Sequence, residues 1–211
     1  MLNEPEGKQA LLKTLHRTNA VALAMFLSLH LANHFALMGG IEAHMAIQKA
    51  LRPIYRAAII EPVLIGLFTI QIALGLILVV KRGRPKERWG WLQVLSGGYL
   101  AFFLVQHLAA VLMARSSGFD TNSFFAAAVV NRLPLTYYFA PYYALSVAAV
   151  FAHFAAALRF KRWPEPPTAS VRLLPWLGLV AGILIVSGLM GAFGAVRLSV
   201  VNEAYLNSVF G

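Results

Sequence analysis

The sequence predicts an all-α integral membrane protein: a bundle of five transmembrane helices with short interfacial helices in the outer loops. Three observations carry this. Of the 211 residues, 59% are hydrophobic and 12% charged, where soluble domains average about half and about a quarter. Five apolar runs reach the roughly 20 residues that cross a bilayer at 1.5 Å per residue. Basic residues alternate with these runs: Lys8, Lys13 and Arg17 precede the first, Lys81, Arg82, Arg84, Lys86 and Arg88 follow the second, and Arg159, Lys161, Arg162 and Arg172 follow the fourth. In a five-span chain the three groups share one side, which the positive-inside rule makes cytoplasmic.

The first span is expected near residues 17–38. The polar segment before it, with Glu4, Glu6, Lys8 and Lys13 and no small-residue cleavage site behind the apolar run, reads as the start of an uncleaved helix. After Gly39 and Gly40, the spacing of Ile41, Met45, Ile47 and Leu51 suits an interfacial amphipathic helix. The second span is expected near 57–80, and the turn-rich K-R-G-R-P-K-E-R leads to the third, near 91–114. The loop at 115–136 contains an apolar run, 124–130, suited to a second interfacial helix. The fourth and fifth spans are expected near 138–160 and 173–196. Trp89, Trp91, Trp163 and Trp176 gather at the cytoplasmic boundary and Tyr137, Tyr138, Tyr142 and Tyr143 at the outer one, as aromatic belts do. No connecting segment is long enough to fold separately, so residues 1–211 form one domain. The net charge of +10 follows the membrane topology, which points to lipid and not to nucleic acid as its partner. With no cysteine, thiolate metal sites, disulfides and covalent C-x-x-C-H haem attachment are excluded.

The most informative pattern is a near-repeat 77 residues apart: L-A-M-F-L-S-L-H-L-A ends one copy and L-A-F-F-L-V-Q-H-L-A the other. Aligning residues 19–32 with 96–109 gives seven identities in 14 positions, and the following helices set Gln71 opposite His153. The expectation is two related helix hairpins with a fifth helix added. His30 and His107 lie 13 and 16 residues from the cytoplasmic ends of their helices, or roughly 20–24 Å at 1.5 Å per residue, in the outer half. Gln71 and His153, on helices running the other way, fall in the inner half.

Two histidines at one depth on neighbouring helices suit the axial positions of a b-type haem held in a helix bundle. A bis-histidine iron has no open position, so the chemistry would be electron transfer. Asn19 and Ser96, each 11 residues before its histidine, return to nearly the same face and line the inner layer. The alternative is that these side chains are structural and hydrogen-bond across helices. His34, one turn after His30, is placed near the outer surface against a haem propionate or a quinone, in preference to replacing His30 as ligand. His153 is read as bonded to Gln71, with ligation of a second haem as the other reading; His16 and His44 are read as solvated at the two surfaces. Glu61, the one carboxylate inside an apolar run, is either a proton acceptor beside a quinone pocket or the partner of Arg56 or Arg115.

These residues resemble the five-helix, dihaem cytochrome b anchor of succinate:quinone oxidoreductases and fumarate reductases. The resemblance runs from about Thr18 to Arg162, through T-N-A-V-A-L-A-M-F-L-S-L-H, W-L-Q-V-L-S-G-G-Y-L-A-F-F-L-V-Q-H and A-V-F-A-H-F-A-A-A-L-R. It implies that His30 and His107 bind the haem far from the cytoplasm and that His153 belongs to the near one, where Gln71 stands in place of a histidine. One haem b is therefore expected rather than two, with quinone as redox partner. Flavin and iron–sulfur subunits on the cytoplasmic side, or another redox protein, would complete the route. The implied location is a bacterial inner membrane, N-terminus cytoplasmic and C-terminus outside. No flavin or nucleotide fingerprint is present, so the chain would be an electron-transfer subunit, not a complete enzyme. The readings from other classes are a haem-free scaffold or assembly subunit, and a transporter relaying protons through Glu61 and His153; five spans supply no simple pair of inverted halves for the latter.

Overall fold

The structure is a computed structural model that describes residues 4–161, 165–198 and 200–210. It is all-helical: α1 (Glu4–Phe35), α2 (Ile41–Tyr55), α3 (Ile60–Arg82), α4 (Arg88–Ser116), α5 (Ser123–Val130), α6 (Thr136–Lys161), α7 (Ala169–Leu189) and α8 (Val200–Phe210). Among the described residues five helices, α1, α3, α4, α6 and α7, are long and apolar enough to cross a membrane. Arg162 and Trp163, assigned above to the cytoplasmic boundary, lie outside the described residues.

The spans differ from expectation at their ends, for local reasons. α1 begins well before residue 17, because the polar segment is built of helix formers such as Lys8, Gln9, Ala10, Leu11 and Leu12. It closes through a 3₁₀ turn, Ala36–Gly39, onto Gly40, whose φ of 94° only glycine adopts easily. The fifth span stops at Leu189 and not at residue 196, since Gly191 and Gly194 take φ of 93° and 154° and turn the chain out of the helix. α5 forms where the apolar run stands, with Asn122 as N-cap accepting from the amides of Phe124 and Phe125. Its face is packed in protein: Ala127, Ala128, Val129 and Val130 are at most 4% exposed. An eight-residue apolar helix cannot span a bilayer, and here it buries its surface in protein.

The polypeptide packs as two hairpins plus a fifth span. α1 packs on α3 and α4 on α6, and α7 lies along α6. The last contact needs small residues. A Cβ on Gly182 would overlap the Ala144 carbonyl, and one on Gly178 would sit 2.5 Å from Phe151 Cβ, so two glycines four apart bring the backbones together, the usual device where lipid supplies no hydrophobic drive. Leu37, Ile41, Ala127, Val130, Leu189 and Leu206 join one core, which fills the end of the bundle carrying α2, α5 and α8. We call this the capped end. The opposite, basic end carries Lys81, Arg82, Arg84, Lys86 and Arg88. Large apolar side chains such as Val21, Met25, Val80, Val105 and Met113 point outward, as a lipid-facing surface requires.

Candidate functional site

The repeat is visible in side-chain geometry. Phe26 stacks on His30 with ring centroids 5.5 Å apart, and Phe103 stacks on His107 at 5.2 Å. Each pair is one helical turn apart on its own helix, so the same i, i+4 geometry is built twice. The two histidines then face each other, ring centroids 6.3 Å apart and planes at 70°. α1 packs on α2, α3 and α7, and α4 on α3 and α6, so the rings meet across a gap between helices that are not a packed pair. Among the described residues His107 has no hydrogen-bond partner.

His34 does not stand apart at a surface. Its Nε2 lies 3.2 Å from His30 Nε2, and its Nδ1 lies 3.2 Å from His44 Nε2. His44, expected to be solvated, is 1% exposed and also contacts Asn33 Nδ2 at 3.3 Å and, through Nδ1, the Ser123 hydroxyl. Burial pushes the His44 imidazole down to about 4. Of the expected apolar face, Ile41, Met45, Ile47 and Leu51, Ile41 is buried, and the other buried residue of α2 is His44; the helix turns its histidine toward protein. The i, i+3 spacing of Ile41 and His44 was the available signal.

A second polar layer lies nearer the basic end. Asn19 donates through Nδ2 to the Leu67 carbonyl at 2.8 Å and to Gln71 Oε1 at 2.7 Å. Gln71 Nε2 is 3.2 Å from His16 Nε2. An amide nitrogen can only donate, so His16 Nε2 accepts and its proton sits on Nδ1, which is buried without a partner. His16 was thus misread as a surface residue because α1 extends past it; its position three residues before Asn19, on one face, is the clue. His153 and Gln71 are not bonded to each other. His153 Nδ1 instead lies 3.2 Å from both the Gln93 carbonyl and Ser96 Oγ, and Ser96 donates to the Leu92 carbonyl at 2.6 Å. A carbonyl can only accept, so His153 carries its proton on Nδ1 and keeps a lone pair on Nε2, the form that ligates metals. Gly97 makes room for it: an added Cβ would stand 3.0 Å from His153 Cε1. His16 lies within electrostatic reach of His153.

Two apolar grooves repeat the symmetry. One, of about 330 Å³, is lined by Leu15, Asn19, Ala22, Leu67 and Ile70; the other, of about 320 Å³, is lined by Leu92, Ser96, Tyr99, Ala149 and Ala152. The helix-one and helix-three positions are 77 apart, as His30 and His107 are, and the rest are 82 apart, as Gln71 and His153 are.

Glu61 pairs with Arg115, through Oε1 to Nη1 and through Oε2 to Nη2 at 3.1 Å. Arg56 turns to Thr121 Oγ1 at 2.6 Å, while Arg52 holds Asp120 at 2.7 Å. Burial, with the Arg52 and Arg115 charges beside it, draws the Arg56 guanidinium below its ordinary pKa. Of the two partners considered for Glu61 the structure selects Arg115, and the carboxylate is engaged. Among the described residues no three metal-binding side chains are grouped to hold an ion. Comparison with protein-family models, characterised proteins and solved structures finds no match to this chain.

Proposed function

We propose that the chain is a b-type cytochrome subunit of the succinate dehydrogenase and fumarate reductase anchor type, passing electrons between a membrane quinone and a redox partner. The observation that carries this reading is the His30–His107 pair. One from each half of the repeat, the two rings face each other with centroids 6.3 Å apart, and His30 and His107 would be the residues that hold the haem iron. Packed helices approach to about 8–10 Å, too close for a macrocycle between them; α1 and α4 do not pack on each other. The residues therefore fit the group. His107 has both ring nitrogens available. His30 has committed Nε2 to His34, so Nδ1 is the nitrogen it can offer, with the bond to His34 fixing ring orientation as outer partners of metal-binding histidines do. When bound, a bis-histidine haem supplies one-electron transfer with no open iron position. Phe26 and Phe103 stack on the two rings and hold their orientation. The basic end would face cytoplasmic flavin and iron–sulfur subunits, and the capped end would face outward.

The test is a reduced-minus-oxidised visible spectrum of the purified protein, expressed with haem available. A b-type band is expected, lost in His107→Ala and retained in Gln71→Ala. No band in the parent protein overturns the reading; a band lost in Gln71→Ala but kept in His107→Ala moves the haem to the other layer. The second reading, a haem-free scaffold subunit, is favoured by one observation: His30, His34 and His44 already satisfy one another.

A further inference from the structure

We propose that the groove between α4 and α7 holds an acyl chain of an anionic phospholipid, whose phosphate is bound by Arg88 and Arg172 at the mouth. The groove, of about 320 Å³, is floored by α6. α4 and α7 both pack along α6, and its Ala149 and Ala152 are too small to fill the space left between them. Ser96, Ala149 and Ala152 are buried on the floor, whereas Leu145 and Trp176 at the rim are 45% and 67% exposed. Along α4 the lining runs from Leu92 to Tyr99, or roughly 10 Å at 1.5 Å per residue, about a third of a hydrocarbon core. The groove is thus a slot along the helices, open on the lipid side.

The lining selects a hydrocarbon chain. Its hydroxyls are spent inside the protein: Ser96 donates to the Leu92 carbonyl at 2.6 Å and Tyr99 to the Tyr142 carbonyl at 3.0 Å. A quinone ring on this floor would find no hydroxyl proton for its carbonyls, a cost that a methylene chain does not meet. Trp176, at the rim between chain and headgroup, supplies the amphipathic ring usual at that depth.

The mouth has the opposite character. Arg88 stands one turn before Leu92 on α4, and Arg172 one turn before Trp176 on α7, so each arginine continues a lining face toward the basic end. Both are exposed, and among the described residues neither has a hydrogen-bond or ion-pair partner, although Glu87 and Glu165 are near in sequence. Their basic neighbours are engaged: Arg82 donates to Gln93 and lies over Phe160, and Arg84 lies over Trp91. Both arginines also stand in the first turn of their helices, where the backbone amides add positive potential. Guanidinium groups hold phosphate through charge-assisted hydrogen bonds, and basic pockets between membrane helices take anionic headgroups. The groove of the first hairpin is an internal comparison. It is lined by α1 and α3 alone, and the residue 77 positions before Arg88 is Leu11. The slot occurs in both hairpins, and the arginine at this position in one.

The site needs no haem, so its test is independent of the proposed function. Full-length protein in detergent is given equal amounts of phosphatidylglycerol and phosphatidylcholine with identical chains, and the first lipid bound is counted by native mass spectrometry. Phosphatidylglycerol should be favoured at least about fivefold. The preference should fall below about twofold in Arg88→Gln/Arg172→Gln and persist in Lys81→Gln/Lys86→Gln, which removes the same charge elsewhere at the basic end. Ala148→Leu fills the slot and leaves the arginines, and should lower phosphatidylglycerol binding at least about threefold; Trp176→Ala, at an exposed position, serves if that variant does not fold. Equal binding of the two lipids, a preference that survives Arg88→Gln/Arg172→Gln, an equal loss in Lys81→Gln/Lys86→Gln, or binding untouched by the slot variants overturns the site. Displacement of bound phosphatidylglycerol by inorganic phosphate, which would mark a plain anion site, or by long-chain ubiquinone, which would mark a quinone groove, overturns it as well.

Discussion

Acid should open the capped end, and His44 sets by how much. In the folded state its imidazole is held neutral by burial, with a pKa lowered from 6.5 to about 4. Once α2 lifts away, the ring regains its ordinary affinity for protons, so the opened state binds more protons than the closed one and stability falls as pH falls. The contribution is fully present above pH 6.5 and lost as pH drops through about 4. At about 1.4 kcal/mol per unit, the shift corresponds to roughly 3 kcal/mol, or about a hundredfold in the opening equilibrium. Three bonds are at stake, to Asn33, His34 and Ser123. Amide hydrogen exchange of α2, corrected for the intrinsic pH dependence, measures the opening directly. Protection should fall about a hundredfold between pH 7 and pH 4, and in His44→Gln the pH dependence should disappear although the baseline is lower. Other groups titrating in that range remain present in the variant. The same pH slope in His44→Gln would show that His44 is not the group responsible and that its burial does not carry the effect.

Two further outcomes follow from packing and pairing. Gly182→Val should separate α6 from α7, because its Cβ meets the Ala144 backbone carbonyl and no side-chain rotation relieves a backbone clash; a loss of about 2 kcal/mol or more is expected in reversible unfolding in detergent, while Gly98→Ala, with nothing within 4 Å, should stay within about 0.5 kcal/mol. Glu61 and Arg115 are each about a quarter to a third exposed, so a double-mutant cycle of Glu61→Gln and Arg115→Met should return a coupling of about 0.5–1 kcal/mol; zero coupling would leave Glu61 available as an independent proton carrier.

What the sequence made legible was set by signals that survive averaging over a helix. Apolar length fixed the five spans, and the repeated L-A-x-F-L-x-x-H-L-A placed His30 and His107 at one depth, where the structure brings their rings together. Depth along an axis says nothing about rotation around it, and each residue turns the face by about 100°. That is why Gln71 and His153, both expected in the inner half, were wrongly bonded to each other: each faces its own hairpin partner. His16 was lost to a helix boundary drawn at a polar segment that continues the helix, and His44 to an amphipathic face assumed to look at lipid. α5 was found by composition, but composition did not say that its surface would be covered by protein, since a short apolar helix in a membrane protein can pack on either protein or lipid.

The duplication gives the glutamine at position 71 a different meaning. Seen alone it is a missing histidine. Taken with the repeat offsets, position 16 corresponds to position 93 and position 71 to position 153. The first hairpin then carries His16 and Gln71, in contact at 3.2 Å, and the second carries Gln93 and His153, in contact at 3.2 Å through the Gln93 backbone. Each hairpin has one histidine and one glutamine at this pair of positions, in opposite order. The layer nearer the basic end therefore contains one imidazole from each hairpin, as the layer at His30 and His107 does. The two rings differ in what they offer: Nε2 of His153 retains its lone pair because Nδ1 donates to the Gln93 carbonyl, whereas His16 spends its lone pair on the Gln71 amide and carries its proton on Nδ1, which is buried without a partner. Gln71 is the group that holds His16 in place, by donating to the one lone pair of its ring.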